Sequence, residues 1–146
     1  MVEKTHATRP EMTPEYFNAR SAGHLPGLVG LTILSVGPQG IDSRLAVRRE
    51  LMAPNGFLHA ATVVALADTS CGYACVANLP DGAVGFTTLE LKSNFLGTAQ
   101  SGAIFCQATP LHLGRSTQVW DAVVSIEATE KRIALFRCTQ MVLWPK

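Results

Sequence analysis

The sequence predicts an α+β fold in which an antiparallel β-sheet curls around one long apolar helix. Three observations lead there. Residues Ala60 to Ala77 form an almost unbroken apolar stretch whose one charge is Asp68. Beyond Leu79-Pro80-Asp81-Gly82 the chain reads as strands separated by turns, with no helices alternating between them, which disfavours a parallel α/β sheet. A helix apolar on nearly every side has to be covered by protein, and a sheet with one buried face covers it by curving around it.

Each element has its own signal. Thr13-Pro14-Glu15 places a hydroxyl cap, a proline and an acid at the start of a short helix running to about Ala22, before Gly23 and Pro26. Leu28 to Val36 and Ile41 to Arg49 read as strands joined by a hairpin at Gly37-Pro38-Gln39-Gly40. Pro54-Asn55-Gly56 is a turn that delivers His59 to the start of the long helix. Four further strands follow, at about Gly85 to Leu96, Gly102 to Leu111, Thr117 to Ala128 and Ile133 to Trp144. Breaks at Gly97-Thr98, Gly114-Arg115 and Thr129-Glu130-Lys131-Arg132 separate them.

With 146 residues the chain suits one domain, 1–146, whose segment 1–26 carries the short helix. Hydrophobic residues make up 47% and charged residues 16%, an apolar excess that a subunit interface would hide, so a homo-oligomer is expected. The net charge of +1 and the scattered Lys and Arg exclude a phosphate-tracking face, so no nucleic acid is expected as partner. Asp68 in the middle of the apolar stretch, with Thr62, Thr69 and Ser70, argues against a membrane span. Residues 1–7 lead into polar residues and prolines without an apolar core, so no signal peptide is expected. Cys71, Cys75, Cys106 and Cys138 form no CxxC pair; they read as small buried residues in a reducing cytoplasm. No cluster has metal-ligand spacing, and His6 and His24 are expected at the surface.

A carboxylate inside an apolar helix must be paired, hydrogen-bonded or raised in pKa, because burying it bare is costly. His59 and Asp68 are nine positions apart. At about 100° per residue, that offset sends the two side chains to opposite sides of the helix. If two such helices pack about a twofold axis, His59 of one subunit faces Asp68 of the other, giving shared sites. The first amide of the helix, that of Ala60, has no intrahelical partner and carries the positive end of the dipole. It is suited to polarise a carbonyl that Asp68 attacks directly or through a water, which describes acyl transfer.

At these residues the sequence resembles the hotdog-fold acyl-CoA thioesterases of the phenylacetic-acid-degradation (PaaI-like) type. Their G-x-x-H-G-G motif at the start of the central helix is similar to Gly56-Phe57-Leu58-His59-Ala60-Ala61, and their acid nine residues on falls at Leu66-Ala67-Asp68. Thr88-Leu89-Glu90-Leu91-Lys92-Ser93-Asn94-Phe95-Leu96 resembles their T-x-E-L-x-x-x-F-L segment, and Leu28-Val29-Gly30-Leu31 looks like their first strand. The similarity runs from about residue 25 to the C-terminus. Two departures stand out: alanines at 60 and 61 replace paired glycines, and Ala53 stands where the family has Asn or Gln.

The resemblance implies a hotdog fold and hydrolysis of an acyl-CoA thioester, with coenzyme A as part of the substrate and no separate cofactor or metal. Asp68 would be nucleophile or general base, and the Ala60 amide the carbonyl polariser. His59 would orient the loop and the thioester end, and Thr88 would hold the attacking water or the carboxylate. Asn55 and Gly56 would line the substrate site, and Arg115, in the turn at His112-Leu113-Gly114-Arg115-Ser116, would reach the CoA phosphates. A dimer or dimer of dimers is expected. The alternatives are a non-catalytic acyl-CoA-binding hotdog protein, which the two alanines favour, and an acyl-thioester hydratase or dehydratase.

Overall fold

The computed structural model describes residues 8–146. The first helix, α1 (Pro14–Ser21), begins where its cap predicts: the Thr13 hydroxyl oxygen accepts from the Tyr16 N–H at 3.2 Å. A second short helix, α2 (Leu25–Val29), corrects the expectation of a strand from Leu28. Pro26 lies in its first turn, where a missing N–H is harmless, and Gly30 closes it in the left-handed region at φ 79°. Strand β1 therefore spans Leu31–Gly37, and Leu28-Val29-Gly30 is not part of it.

The predicted hairpin joins β1 to β2 (Gly40–Ala46), which stops short of Arg49 because Arg49–Leu51 coils into one tight helical turn. The central helix, α3, spans Ala60–Ala77. Four strands follow it: β3 (Gly85–Phe95), β4 (Ala103–Leu113), β5 (Thr117–Ile126) and β6 (Arg132–Leu143). All six strands form one antiparallel sheet in the order β1-β2-β4-β5-β6-β3, and α3 packs against every one of them.

The core lies between α3 and the concave side of the sheet. Leu66, Ala67, Cys71, Ala74 and Cys75 of the helix meet Ile104, Cys106, Trp120, Val124, Ile133 and Cys138 of the strands, all essentially without exposure. Small side chains along this helix face let the sheet approach closely. The four cysteines are buried and free, as expected, and burial pushes the Cys75 and Cys106 thiols up to about 12. Cys75 and Cys106 therefore remain unreactive thiols at neutral pH.

By length and composition α3 passes as a membrane span, yet more than half of it is enclosed by the sheet. Its opposite face is less covered. Val64, Ala65, Asp68, Thr69, Tyr73 and Val76 form a stripe, spaced by helical turns, that one chain covers only in part. His24 is exposed, as expected, and His6 lies outside the described residues.

Candidate active site

The loop from Leu51 to His59 is held from several directions. Gly56 takes φ +85°, a conformation that strains residues with a side chain. Asn55 closes the turn by accepting the Phe57 N–H on its side-chain oxygen at 3.1 Å. The Leu58 N–H donates to the Thr98 hydroxyl oxygen at 2.8 Å, and the Thr62 hydroxyl donates to the Leu51 carbonyl at 2.7 Å. His59 thereby becomes the cap of α3: its Nδ1 accepts the Ala61 N–H at 2.9 Å. An Nδ1 that accepts leaves Nε2 to carry the ring proton outward. The Ala60 N–H, first in the helix, has no acceptor among the described residues. His59, Ala60 and Asn55 line one cavity of about 620 Å³, together with Phe57, Phe95 and Leu96.

Asp68 opens into a different cavity, of about 290 Å³, which also receives Thr88. One carboxylate oxygen, Oδ1, is buried without a partner among the described residues. Burial holds the Asp68 carboxyl above the ordinary carboxylate range. Thr88 sits where β3 bulges: it pairs with Gln140, Glu90 pairs with Thr139, and Leu89 is the extra residue. The Thr88 hydroxyl donates to Gln140 Oε1 at 2.8 Å, and Gln140 Nε2 donates to Cys138 Sγ at 3.3 Å. The nine-residue offset thus separates the two halves of the expected site within one chain, as helical geometry requires.

Of the other residues singled out in the sequence, Gly56 shapes the loop. Arg115 lines neither cavity: its guanidinium stacks over the Trp144 ring at 4.4 Å from the centroid. Several residues were missed. Gly72, Tyr73 and Val76 follow Asp68 at four, five and eight positions, so their place beside it was readable from helical spacing. Tyr16, Phe17, Arg20 and Pro26 reach the same cavity from α1 and α2, and Gln140 reaches Thr88 from β6; these long-range placements leave no local signal.

The family model described as Thioesterase superfamily matches residues 55–133, from the turn before the central helix through β5. The chain belongs to the thioesterase superfamily. Its sheet wrapped on α3 is the hotdog fold of these thioesterases. The 1,4-dihydroxy-2-naphthoyl-CoA hydrolase of Listeria monocytogenes is 32% identical over 111 residues, which cover 76% of this chain and 89% of that protein. The proofreading thioesterase EntH of Cronobacter turicensis is 30% identical over 124 residues, covering 85% and 86%. A crystal structure of a thioesterase from Haemophilus influenzae superposes with a TM-score of 0.84 at 30% identity, covering 90% of each chain. With thioesterases on all three comparisons, thioester hydrolysis is the reaction class of this thioesterase.

Proposed function

We propose that this thioesterase hydrolyses acyl-CoA at two equivalent sites, each shared between the subunits of a twofold dimer. One observation carries the reading: a helix-start amide at Ala60 and a half-buried carboxylate at Asp68 whose Oδ1 is buried, both without a partner among the described residues, open into separate cavities of one chain. Two copies packed along the half-covered stripe of α3 would bring Ala60 of one to Asp68 of the other. The β3 edge supports the same assembly. Among the described residues it has no strand on its outer side, and Leu89, Leu91 and Phe95 stand exposed along it. The relative from Listeria monocytogenes is named for a CoA thioester, which supports coenzyme A as the thiol.

The chemistry follows from the two halves. The thioester carbonyl oxygen sits on the Ala60 N–H, where the helix dipole stabilises the charge that develops. Asp68 takes a proton from a water whose oxygen bonds to the carbonyl carbon; the carbon–sulfur bond breaks, and the proton ends on the CoA sulfur. The Thr88 hydroxyl donates its hydrogen bond to Gln140, so toward the cavity its oxygen accepts, and it holds the second hydrogen of that water. The alanine at position 60 keeps the backbone N–H that this scheme needs. A panel of aliphatic and aromatic acyl-CoAs, followed by a thiol reagent, tests the proposal. Thiol release that Asp68→Asn abolishes supports it; a folded wild type releasing no thiol from any member favours a binding protein instead.

A further inference from the structure

The cavity above Asp68 has a second end. Its walls are aromatic: Phe17 and Tyr73 stack with centroids 4.6 Å apart and planes 19° apart, and Tyr16 meets Phe17 edge-on at 5.3 Å. Phe86 closes another side against Gly72, where an added Cβ would lie 2.9 Å from the Phe86 ring tip. Glycine inside a helix is unfavourable relative to alanine, and here its place is explained by the ring it admits. The Tyr73 hydroxyl bonds to Ser21 Oγ at 2.8 Å while Ser21 donates to the Phe17 carbonyl at 3.0 Å, so the Tyr73 proton is committed to Ser21.

Among the described residues Arg20 is the one cationic residue lining this cavity. Its guanidinium lies over the Tyr16 ring, 5.4 Å from the centroid. Among the described residues it makes no ion pair within 4 Å and no side-chain hydrogen bond, whereas Arg44 and Arg137 each hold a carboxylate. Asp68, in the same cavity, is not its partner either. A position on the last turn of α1 suits any cation electrostatically, but does not require one turned onto a ring at the rim of an aromatic pocket. Its five donors match an oxygen anion in a bidentate fork.

Resting on the acyl-CoA reading above, we propose that this cavity is the acyl pocket and that Arg20 selects flat acyl groups carrying a carboxylate at the end remote from the thioester. The aromatic walls take the flat body, Asp68 and Thr88 face the carbonyl carbon, and the guanidinium pairs with the distal carboxylate.

The probes are 4-carboxybenzoyl-CoA and benzoyl-CoA, compared by kcat/KM in the wild type and in Arg20→Met. The expected preference for the carboxylated probe is tenfold or more, and Arg20→Met brings the ratio near one. Calorimetric binding of both probes to Asp68→Asn, with and without Arg20→Met, gives a readout independent of turnover, and the same ratios are expected there. A wild-type ratio near one, a ratio that Arg20→Met leaves in place, or failure of both probes to bind overturns the inference. Arg20-dependent binding without thiol release would sink the hydrolase reading and leave the carboxylate recognition standing. Equal release from both probes does the reverse.

Discussion

Thr88 and Gln140, 52 positions apart in sequence, share a 2.8 Å hydrogen bond in which the threonine hydroxyl is the donor. Gln140 is fully buried and its amide nitrogen is turned to Cys138, so the orientation of the pair is fixed from beneath the sheet. The cavity side of the threonine oxygen is left with lone pairs only. In the proposed mechanism a water approaching Asp68 would find an acceptor at Thr88 and a base at Asp68.

Thr88→Val removes that acceptor while keeping shape. The expected loss in kcat is roughly tenfold to a hundredfold, about 1.4 to 2.7 kcal/mol in a barrier. It also strands Gln140 Oε1, which lowers stability by about 1–3 kcal/mol. Thr88→Ser keeps both bonds and stays within a few-fold of wild type. Steady-state thiol release and chemical denaturation check the pair; equal activity in Thr88→Val and Thr88→Ser would remove threonine from the mechanism.

Asp68 sets a pH dependence of known sign. Burial raises its folded-state carboxyl above the unfolded value, so the folded protein binds that proton more tightly. The cost to stability is absent below the ordinary carboxylate range and complete above the raised value. Asp68→Asn should therefore leave the melting temperature unchanged at low pH and increase it at neutral pH, the gain appearing as pH rises through that window. The same shift places the acid limb of wild-type kcat/KM above the range of a free aspartate. Thermal melts of both proteins across pH, beside the pH–rate profile, test the two consequences. A variant less stable than wild type at neutral pH would contradict them.

The long helix was legible to the residue because an eighteen-residue, mostly apolar stretch interrupted by a single charge admits few other structures. The last four strands were legible because turn residues bound each of them. Leu28 to Gly30 misled because Leu and Val suit a strand as well as a short helix, and the deciding facts were Pro26 and the left-handed Gly30. At the site, the separation of His59 from Asp68 follows from helical spacing alone. What stayed hidden came from outside the helix: Arg20 and Phe17 depend on how α1 docks, and Gln140 depends on the register of β6 against a bulged β3.

The free edge of β3 carries its own consequence. Exposed Leu91 belongs to an eleven-residue edge strand that the described residues leave unpaired on its outer side. Lysine on such an edge opposes pairing with another strand. Leu91→Lys should shift the protein to monomers in sedimentation equilibrium and reduce thiol release by more than about a hundredfold, near the limit where only one half-site remains. A dimer that survives the substitution with full activity would place the interface elsewhere.

Shared sites predict complementation between two inactive proteins. Ala60→Pro deletes the proposed polarising N–H and little else. Proline is favoured at the first position of a helix, and His59 before it already has the extended backbone, φ −64° and ψ 135°, that a following proline demands. Asp68→Asn deletes the base. Each homodimer then carries two defective sites, and each should be inactive toward acyl-CoA. In a heterodimer one site collects both defects and the other collects neither, because its Ala60 and its Asp68 come from different chains. Random re-pairing after co-refolding makes half the dimers mixed, so about a quarter of wild-type thiol release should return. Sites built within a single chain would return none, because every chain in the mixture lacks one of the two groups.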